Sequence, residues 1–303
     1  MVEKQKHFPV MLKEVLQSLD IKDGKTYVDC TFGNGGYSEA ILKSADCKVY
    51  AVDRDPNVIS RANELKKAYG GRFNFILGRF GDIAELIAPD VQVDGFVFDI
   101  GVSSMQLDEG ARGFSFSKEA PLDMRMSCDG ISAKDLVNDL SEKDLADLIY
   151  NYGEERKSRV IAKKIADYRK HNPIETTTEL ASIIRTVVGG GKDIDPATKT
   201  FQALRIAVND ELGELERGLE SAASLLDVGG RLVVVTFHSL EDRIVKNFFK
   251  EKSGKTPNAS RYMPEVTKEK AVLSEVSKAI APSKDELSAN RRSRSAKLRY
   301  GVK

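Results

Sequence analysis

Residues Tyr27-Val28-Asp29-Cys30-Thr31-Phe32-Gly33-Asn34-Gly35-Gly36-Tyr37-Ser38 restrict the folds open to this chain more than any other stretch. An apolar run ends in an acid, the chain turns glycine-rich four residues later, and Glu39-Ala40-Ile41-Leu42 opens a helical pattern, so the stretch reads strand, tight loop, helix. Glycine lets a backbone bend sharply and lie against a ligand with no Cβ in the way. Taken alone, G-x-G-G fits a plain structural turn as well as a nucleotide-type pocket. The following elements shift that balance. Lys48-Val49-Tyr50-Ala51-Val52 reads as a second strand ending in Asp53, about 20 residues past the first glycine, the spacing at which an acidic side chain reaches a ribose diol.

Phe96-Val97-Phe98 is a further strand and ends in Asp99. Strands ending in Asp29, Asp53 and Asp99 give the pocket mouth a negative charge, which repels a pyrophosphate unless basic groups compensate, and the first loop carries none. S-adenosylmethionine has no phosphate; it brings a sulfonium, an ammonium and a ribose for Asp53. Charge therefore favours that methyl donor over NAD.

With 303 residues the chain has room for one large domain, or one domain carrying an inserted second. No run approaches the roughly 18 apolar residues of a membrane span, and Met1-Val2-Glu3-Lys4-Gln5-Lys6 leads to no secretory h-region. Cys30, Cys47 and Cys128 are far apart and form no C-x-x-C pair, so the reading is a reducing, cytoplasmic setting with no metal site and no membrane partner. A net charge of +1 argues against a protein that coats nucleic acid over its whole surface. Local charge is concentrated in Asn290-Arg291-Arg292-Ser293-Arg294-Ser295-Ala296-Lys297-Leu298-Arg299, which reads either as a solvated tail or as a phosphate-binding segment.

Along the chain, apolar residues at 12, 15, 16 and 19 mark a helix covering the first strand, with His7 before it in a structural role. Pro56 suits the first turn of a helix through Ile59, Ala62 and Leu65. Phe73 to Leu77 is a third strand, and Phe80 just beyond it either meets an adenine or serves the core. A helix at 82 to 88 leads to the strand ending in Asp99. Helices then follow at Ser132–Asp139, Ser141–Tyr152, Glu154–Arg169 and Thr178–Val188, the first two opened by Ser132-x-x-Asp135 and Ser141-x-x-Asp144. The expected division is a discontinuous donor-binding sheet domain, 1–106 and 201–303, and an inserted helical subdomain for substrate recognition, 107–200. One long helix from Pro196, with a stripe through 201, 204, 208, 212, 215 and 219, returns the chain to the sheet and ends at Gly229-Gly230. Arg231 to Phe237 is the most strand-like run, and its apolar character suits a sheet buried on both faces. His238 at its end is a general base or a loop-shaping residue. Residues 251–285 are polar and expected to be irregular and partly mobile. The fold class is α/β, a doubly wound Rossmann-like methyltransferase sheet with an inserted all-helical subdomain.

The chain resembles the bacterial RsmH family, also called MraW, over nearly its whole length. The resemblance rests on His7-x-Pro9-Val10-Met11-Leu12, Asp29-x-Thr31-Phe32-Gly33-x-Gly35-Gly36, Asp53-Arg54-Asp55-Pro56, Asp99-x-Gly101-Val102-Ser103-Ser104-x-Gln106-Leu107-Asp108, Arg112-Gly113-Phe114-Ser115-Phe116, Pro121-Leu122-Asp123-Met124-Arg125-Met126, Tyr152-Gly153-Glu154-Glu155-Arg156, Phe201-Gln202-Ala203-Leu204-Arg205-Ile206 and Phe237-His238-Ser239-Leu240-Glu241-Asp242-Arg243. It implies an S-adenosylmethionine-dependent methyltransferase acting on the exocyclic N4 of a cytidine in 16S ribosomal RNA of the small subunit. It further implies that Gly35, Gly36, the residue at 37, Asp53, Phe80, Asp99 and Gln106 contact the donor. Position 37 is usually histidine in that family and here is Tyr37, so its backbone is the surer contact. The strand that ends Asp/Asn-Pro-Pro-aromatic in many amino methyltransferases ends here in Asp99-Ile100-Gly101-Val102.

Asp99 is the expected catalytic carboxylate, hydrogen bonding either the amine or the donor's charged end. Arg112, Phe114 and Phe116 alternate charge with ring, which suits gripping RNA or, equally, pinning the inserted subdomain. Arg291, Arg292 and Arg294 are candidates for phosphate contacts. The competing readings are a non-catalytic RNA-binding ribosome assembly factor with a vestigial pocket, disfavoured by the intact loop and its three acids, and a small-molecule methyltransferase, which leaves the insert and the basic stretch unexplained. The sequence leaves open whether the chain acts alone or as a homodimer.

Overall fold

The computed structural model describes residues 9–189, 195–254 and 271–303; His7 lies outside them, as do positions 255–270 of the stretch expected to be irregular. Two compact units result, Met1–Gly101 with Leu212–Lys303, and Val102–Glu211.

The first unit opens with α1 (Leu12–Leu19), β1 (Thr26–Asp29), α2 (Gly36–Ser44), β2 (Lys48–Asp53), α3 (Ile59–Tyr69), β3 (Phe73–Leu77), the short α4 (Ile83–Leu86) and β4 (Val93–Asp99). Pro56 opens a 3-10 turn ahead of α3, and the Asp55 carboxylate caps that turn by accepting from Asn57 N–H. These strands are parallel and pair in the order β3-β2-β1-β4.

The second unit is helical: α5 (Ser104–Asp108), α6 (Ala133–Asp139), α7 (Glu142–Gly153), α8 (Ser158–Arg169), α9 (Thr177–Val188) and α10 (Thr198–Asn209). Ser103, Ser132, Ser141 and Thr176 cap α5, α6, α7 and α9 by accepting a backbone N–H of the first turn, as their spacing requires. α8 starts at Ser158 rather than Glu154, because Glu154 adopts a left-handed φ of 49° that stops α7. Leu145, Ile149, Ile161, Ile165, Leu180, Ile184 and Leu204 build a core of this unit's own.

The chain returns through α11 (Glu211–Leu225), β5 (Leu226–Thr236), α12 (Ser239–Lys252), the two-residue β6 (Glu275–Val276), α13 (Lys284–Ala289) and β7 (Lys297–Val302). The single long helix expected from Pro196 is two helices. Asp210 has a left-handed φ of 51° and caps α10, while buried Asn209 donates to Met124 O at 2.8 Å and accepts from Met126 N–H at 2.8 Å. Nor does α11 reach Gly229. It ends at Leu225, and Gly229, with a φ of 82°, lies in a bulge within β5, where the register against β4 jumps from Val93↔Leu226 to Gly95↔Arg231.

β5 extends the parallel sheet, and β7 then runs antiparallel between β5 and β6, giving the order β3-β2-β1-β4-β5-β7-β6. Val28, Phe96, Phe98, Leu232 and Val234 face one layer together with Leu215 and Leu219 of α11 and Val245 and Phe249 of α12. The alternate residues Val97, Val233 and Val235 are equally buried, the signature of a sheet covered on both sides. α1 packs on β4 and β5 rather than on β1. No helix among the described residues is long and apolar enough to cross a membrane.

Candidate functional site

In a doubly wound sheet, ligands bind at the carboxyl ends of the strands where the strand order reverses, here between β1 and β4. Asp29 and Asp99 end those two strands, and Asp53 ends the neighbouring β2.

Each acid has a distinct role. Asp29 is fully buried; its Oδ2 accepts from Ser38 Oγ at 2.7 Å and Ser38 N–H at 3.2 Å, and its Oδ1 from Thr31 N–H at 3.2 Å. It ties the glycine loop to the first turn of α2. Burial pushes its carboxyl up to about 6, against the pull of those three bonds. Asp53 accepts from Gly33 N–H at 2.7 Å and Asp55 N–H at 2.9 Å, so it clamps the loop from the other side, and burial raises it to about 6 as well.

Asp99 differs from both. Its backbone N–H donates to Thr31 Oγ1 at 2.8 Å, but its Oδ1 is buried and, among the described residues, accepts no hydrogen bond. Burial, then the negative charges of Asp29 and Glu241, push the Asp99 carboxyl up to about 8. A buried carboxylate oxygen without a donor is expensive, so an arriving cation or N–H donor gains what Asp99 lacks.

The glycines serve the chain's own packing. A Cβ on Gly35 would fall 2.8 Å from the Phe32 ring, and one on Gly36 would fall 2.3 Å from Pro9 Cγ. The N–H groups of a helix's first turn have no intrahelical acceptor, and Gly36 and Tyr37 begin α2 beside the acids. Tyr37 turns its buried ring away from solvent and donates its hydroxyl to Val10 O, with burial raising the phenol well above its usual range. That side chain is occupied, which leaves its backbone as the group to meet a ligand.

Several of the expected site residues have partners within the fold. Phe80 stands edge-on to Phe98 at 5.5 Å and lies against Gly218, so its ring serves the core. Gln106 belongs to the second unit, where its Oε1 accepts from Ser103 N–H at 3.0 Å in a capping box. Arg112 has internal partners: its Nη2 donates to Arg125 O and Met126 O, both at 2.9 Å, and its guanidinium lies 5.8 Å from the Phe114 ring. Phe114 lies in that unit's core, and Phe116 packs on Phe201 with ring centroids 4.7 Å apart. His238 caps α12, its Nδ1 accepting from Glu241 N–H at 3.4 Å and its Nε2 lying 2.8 Å from Glu241 Oε1. The Nδ1 contact shapes the loop, while Nε2 is buried and, among the described residues, makes no hydrogen bond.

Arg292 and Arg294 are exposed in the 3-10 turn Arg291–Ser295. Because Lys297 of β7 pairs with Thr236 at the carboxyl end of β5, that turn stands at the same edge of the sheet as the acids. Sequence reasoning missed Ser38, Thr31 and Glu241. Only Glu241 had a legible signal, its capping-box spacing from His238.

A doubly wound sheet with a glycine loop clamped between strand-end carboxylates, and the buried carboxyl of Asp99 at the switch point, is the arrangement of a Rossmann-like methyltransferase. Comparison with known proteins agrees. The chain belongs to the MraW methylase family, which matches residues 4–303. A protein of Rickettsia akari named ribosomal RNA small subunit methyltransferase H is 56% identical over 304 residues, covering 99% of both chains. One of the same name from Paramagnetospirillum magneticum is 54% identical over 307 residues, covering 99% of this chain and 96% of its own. Among solved structures, an rRNA methylase from Streptococcus thermophilus aligns over 96% of this chain and 93% of its own, with a TM-score of 0.42 and 11% identity.

Proposed function

We propose that the protein transfers a methyl group from S-adenosylmethionine to the exocyclic N4 of a cytidine in 16S ribosomal RNA of the small subunit. The observation that carries the donor is the buried, unsatisfied Asp99 Oδ1 in a pocket edge made of carboxylates. The names of the relatives support the RNA, and the family resemblance supports the cytidine N4.

The residues fit this donor. Asp99 offers an acceptor to a cationic end, Asp53 keeps a second lone pair on each oxygen for a ribose hydroxyl, and the α2 N-terminus offers backbone N–H groups at Gly36 and Tyr37. When bound, S-adenosylmethionine supplies an electrophilic methyl group on a sulfonium centre. Cytosine N4 is a weak nucleophile because its lone pair is shared with the ring. Holding it in line is therefore the protein's main contribution, an effect worth roughly 7 to 11 kcal/mol for a well-placed attack. Asp99 sets the donor's orientation, and Asp29 keeps the loop beneath it rigid through Ser38 and Thr31. The target base must leave its stack to reach a pocket at a sheet edge. Arg292 and Arg294 at that edge take backbone phosphates.

The test is incubation with labelled S-adenosylmethionine and, in parallel, small ribosomal subunits, naked ribosomal RNA or a metabolite extract. Label recovered as N4-methylcytidine from RNA is expected. Label confined to small molecules, or none at all, overturns the reading. Asp99→Ala abolishes transfer while the fold persists, and wild-type turnover in that variant refutes its role.

A further inference from the structure

The second unit carries a charge concentration that the methyl-transfer site does not use. Between residues 156 and 170 stand seven basic side chains against one acid, Asp167, in a chain whose formal net charge is only +1. α8 runs through this stretch with one face fully committed: Ser158, Ile161, Ala162, Ile165 and Ala166 are buried. The cations lie on the remaining surface.

Some of them are spent within the protein. Arg159 pairs with Asp147 of α7 at 2.5 Å, Lys170 with Asp167 at 2.7 Å, and Lys157 donates to Val188 O at 3.1 Å. Arg169 donates to Val137 O and Leu140 O at the end of α6. Arg156, Lys163 and Lys164 are exposed and have no ion-pair or hydrogen-bond partner among the described residues. Val160, 57% exposed, stands between them at helical spacing. Tyr150 of the neighbouring α7 is 56% exposed, three residues beyond the Asp147 that Arg159 holds.

We infer that the exposed face of α8 and the turn that leads into it, with Arg156, Lys163 and Lys164 as phosphate ligands and Tyr150 of α7 as a stacking platform, are a docking surface for ribosomal RNA. The inference rests on the RNA substrate proposed above and names where the second unit grips it. Lys163 and Lys164 on the exposed face of α8, where Asp167 supplies one opposing charge, and Arg156 in the turn before it complement a polyanion and give no fit to a basic partner. An exposed tyrosine beside them is the composition used to hold unstacked bases.

The experiment compares the full-length protein with the triple variant Arg156→Ala, Lys163→Ala, Lys164→Ala, and with Lys163→Arg, Lys164→Arg as the charge-conserving control. RNA affinity is measured directly with small-subunit ribosomal RNA across a salt series, alongside transfer of labelled methyl and donor binding. The triple variant is expected to weaken RNA binding about tenfold or more and to flatten the dependence of log K on log salt by about two, as the loss of about three phosphate contacts requires. Its donor affinity and melting temperature should match the wild type, since none of the three side chains is buried, and the arginine control should bind RNA as the wild type does. An unchanged affinity and salt slope in the triple variant overturns the proposal. So does a loss of binding that the arginine control shares. Because RNA binding is read independently of methyl transfer, a wild type that binds the RNA through this face but never labels it counts against the enzymatic reading alone.

Discussion

The strongest consequence of the site is that donor binding releases a proton from Asp99. Its carboxyl sits at about 8 in the free protein against an ordinary 3.8, so it is protonated at neutral pH and must ionise to hold a cation. At pH 6 about one molecule in a hundred carries the charged form, and at pH 7 about one in ten; apparent affinity scales with that fraction. Affinity for S-adenosylmethionine should therefore rise about tenfold from pH 6 to pH 7, at 1.36 kcal/mol per pKa unit, with close to one proton released per ligand. Asp29 and Asp53, both near 6, also titrate in this range, and the donor's own amine titrates near about 8. The discriminating quantity is the difference between wild type and Asp99→Asn below pH 7.5. Asparagine offers no charge, so the variant should bind at least a hundredfold more weakly than the ionised wild type, in line with the roughly 3 kcal/mol or more that follows from breaking a buried pair, a gap that narrows to about tenfold at pH 7 and closes near pH 6, where wild-type Asp99 is itself neutral. It should also lose the pH slope assigned to this position. Titration calorimetry in two buffers of different ionisation enthalpy reads both affinity and proton count. Wild-type affinity that is flat from pH 6 to 7.5, or an Asn variant that binds as tightly as the wild type at pH 7.5, refutes the reasoning. Stability supplies an independent check. Native Asp99 keeps its proton to about pH 8 whereas the unfolded chain loses it near 3.8, so the wild type loses stability as pH rises through that window. Asp99→Asn lacks this loss, and its advantage should grow by about 2 to 3 kcal/mol between pH 5 and pH 7.

Other substitutions probe the scaffold. Ser38→Ala removes the 2.7 Å bond to Asp29 and should lower stability by about 1.5 to 3 kcal/mol while driving Asp29 above its present value, as seen by thermal melting and carboxylate titration. Gly36→Ala brings a Cβ into Pro9 and should destabilise by about 1 to 3 kcal/mol in chemical denaturation, with the Tyr37 bond to Val10 loosened. Asn209→Leu strands Met124 O and Met126 N–H inside the second unit, at about 1 to 3 kcal/mol for each, and should lower the melting temperature without altering donor affinity.

The parallel half of the sheet was legible because its strands alternate with amphipathic helices and end in acids or glycine-rich loops. Strand-end positions for Asp29, Asp53 and Asp99 follow from that pattern alone. Helix breaks were less so. The stripe from 201 to 219 runs unbroken across Asp210, and only the left-handed turn there, stabilised by Asn209, separates α10 from α11. Periodicity reports which side chains face a core, and two consecutive helices can keep the same phase. The glycine loop was read correctly as a constrained turn, but its reason was hidden: Gly35 and Gly36 yield to Phe32 and Pro9, contacts that no local pattern encodes. Arg112 shows the same limit, since a charge beside rings reads as a ligand grip until the carbonyls it braces are located 13 and 14 residues away.

The basic stretch near the carboxyl end shows why charge density needs geometry before it means function. Lys297-Leu298-Arg299-Tyr300 alternates, and alternation is a strand signal that the arginines and lysine obscured. In β7, Leu298 is fully buried, and Lys297 and Arg299 both reach Asp242 of α12, at 2.9 Å each. Those two cations fasten the sheet to its covering helix and hold Asp242 below the usual carboxylate range. Arg292 and Arg294, a few residues earlier, stay exposed at the ligand edge. A single run of like charge thus crosses one structural boundary, the start of β7, beyond which Lys297 and Arg299 hold the fold and before which Arg292 and Arg294 lie exposed in a turn. If the proposed phosphate contacts hold, neutralising Arg294 should weaken RNA binding with a smaller loss of melting temperature than neutralising Lys297 and Arg299, which removes both partners of the Asp242 carboxylate. If the two variants behave alike in both assays, the boundary has no functional meaning.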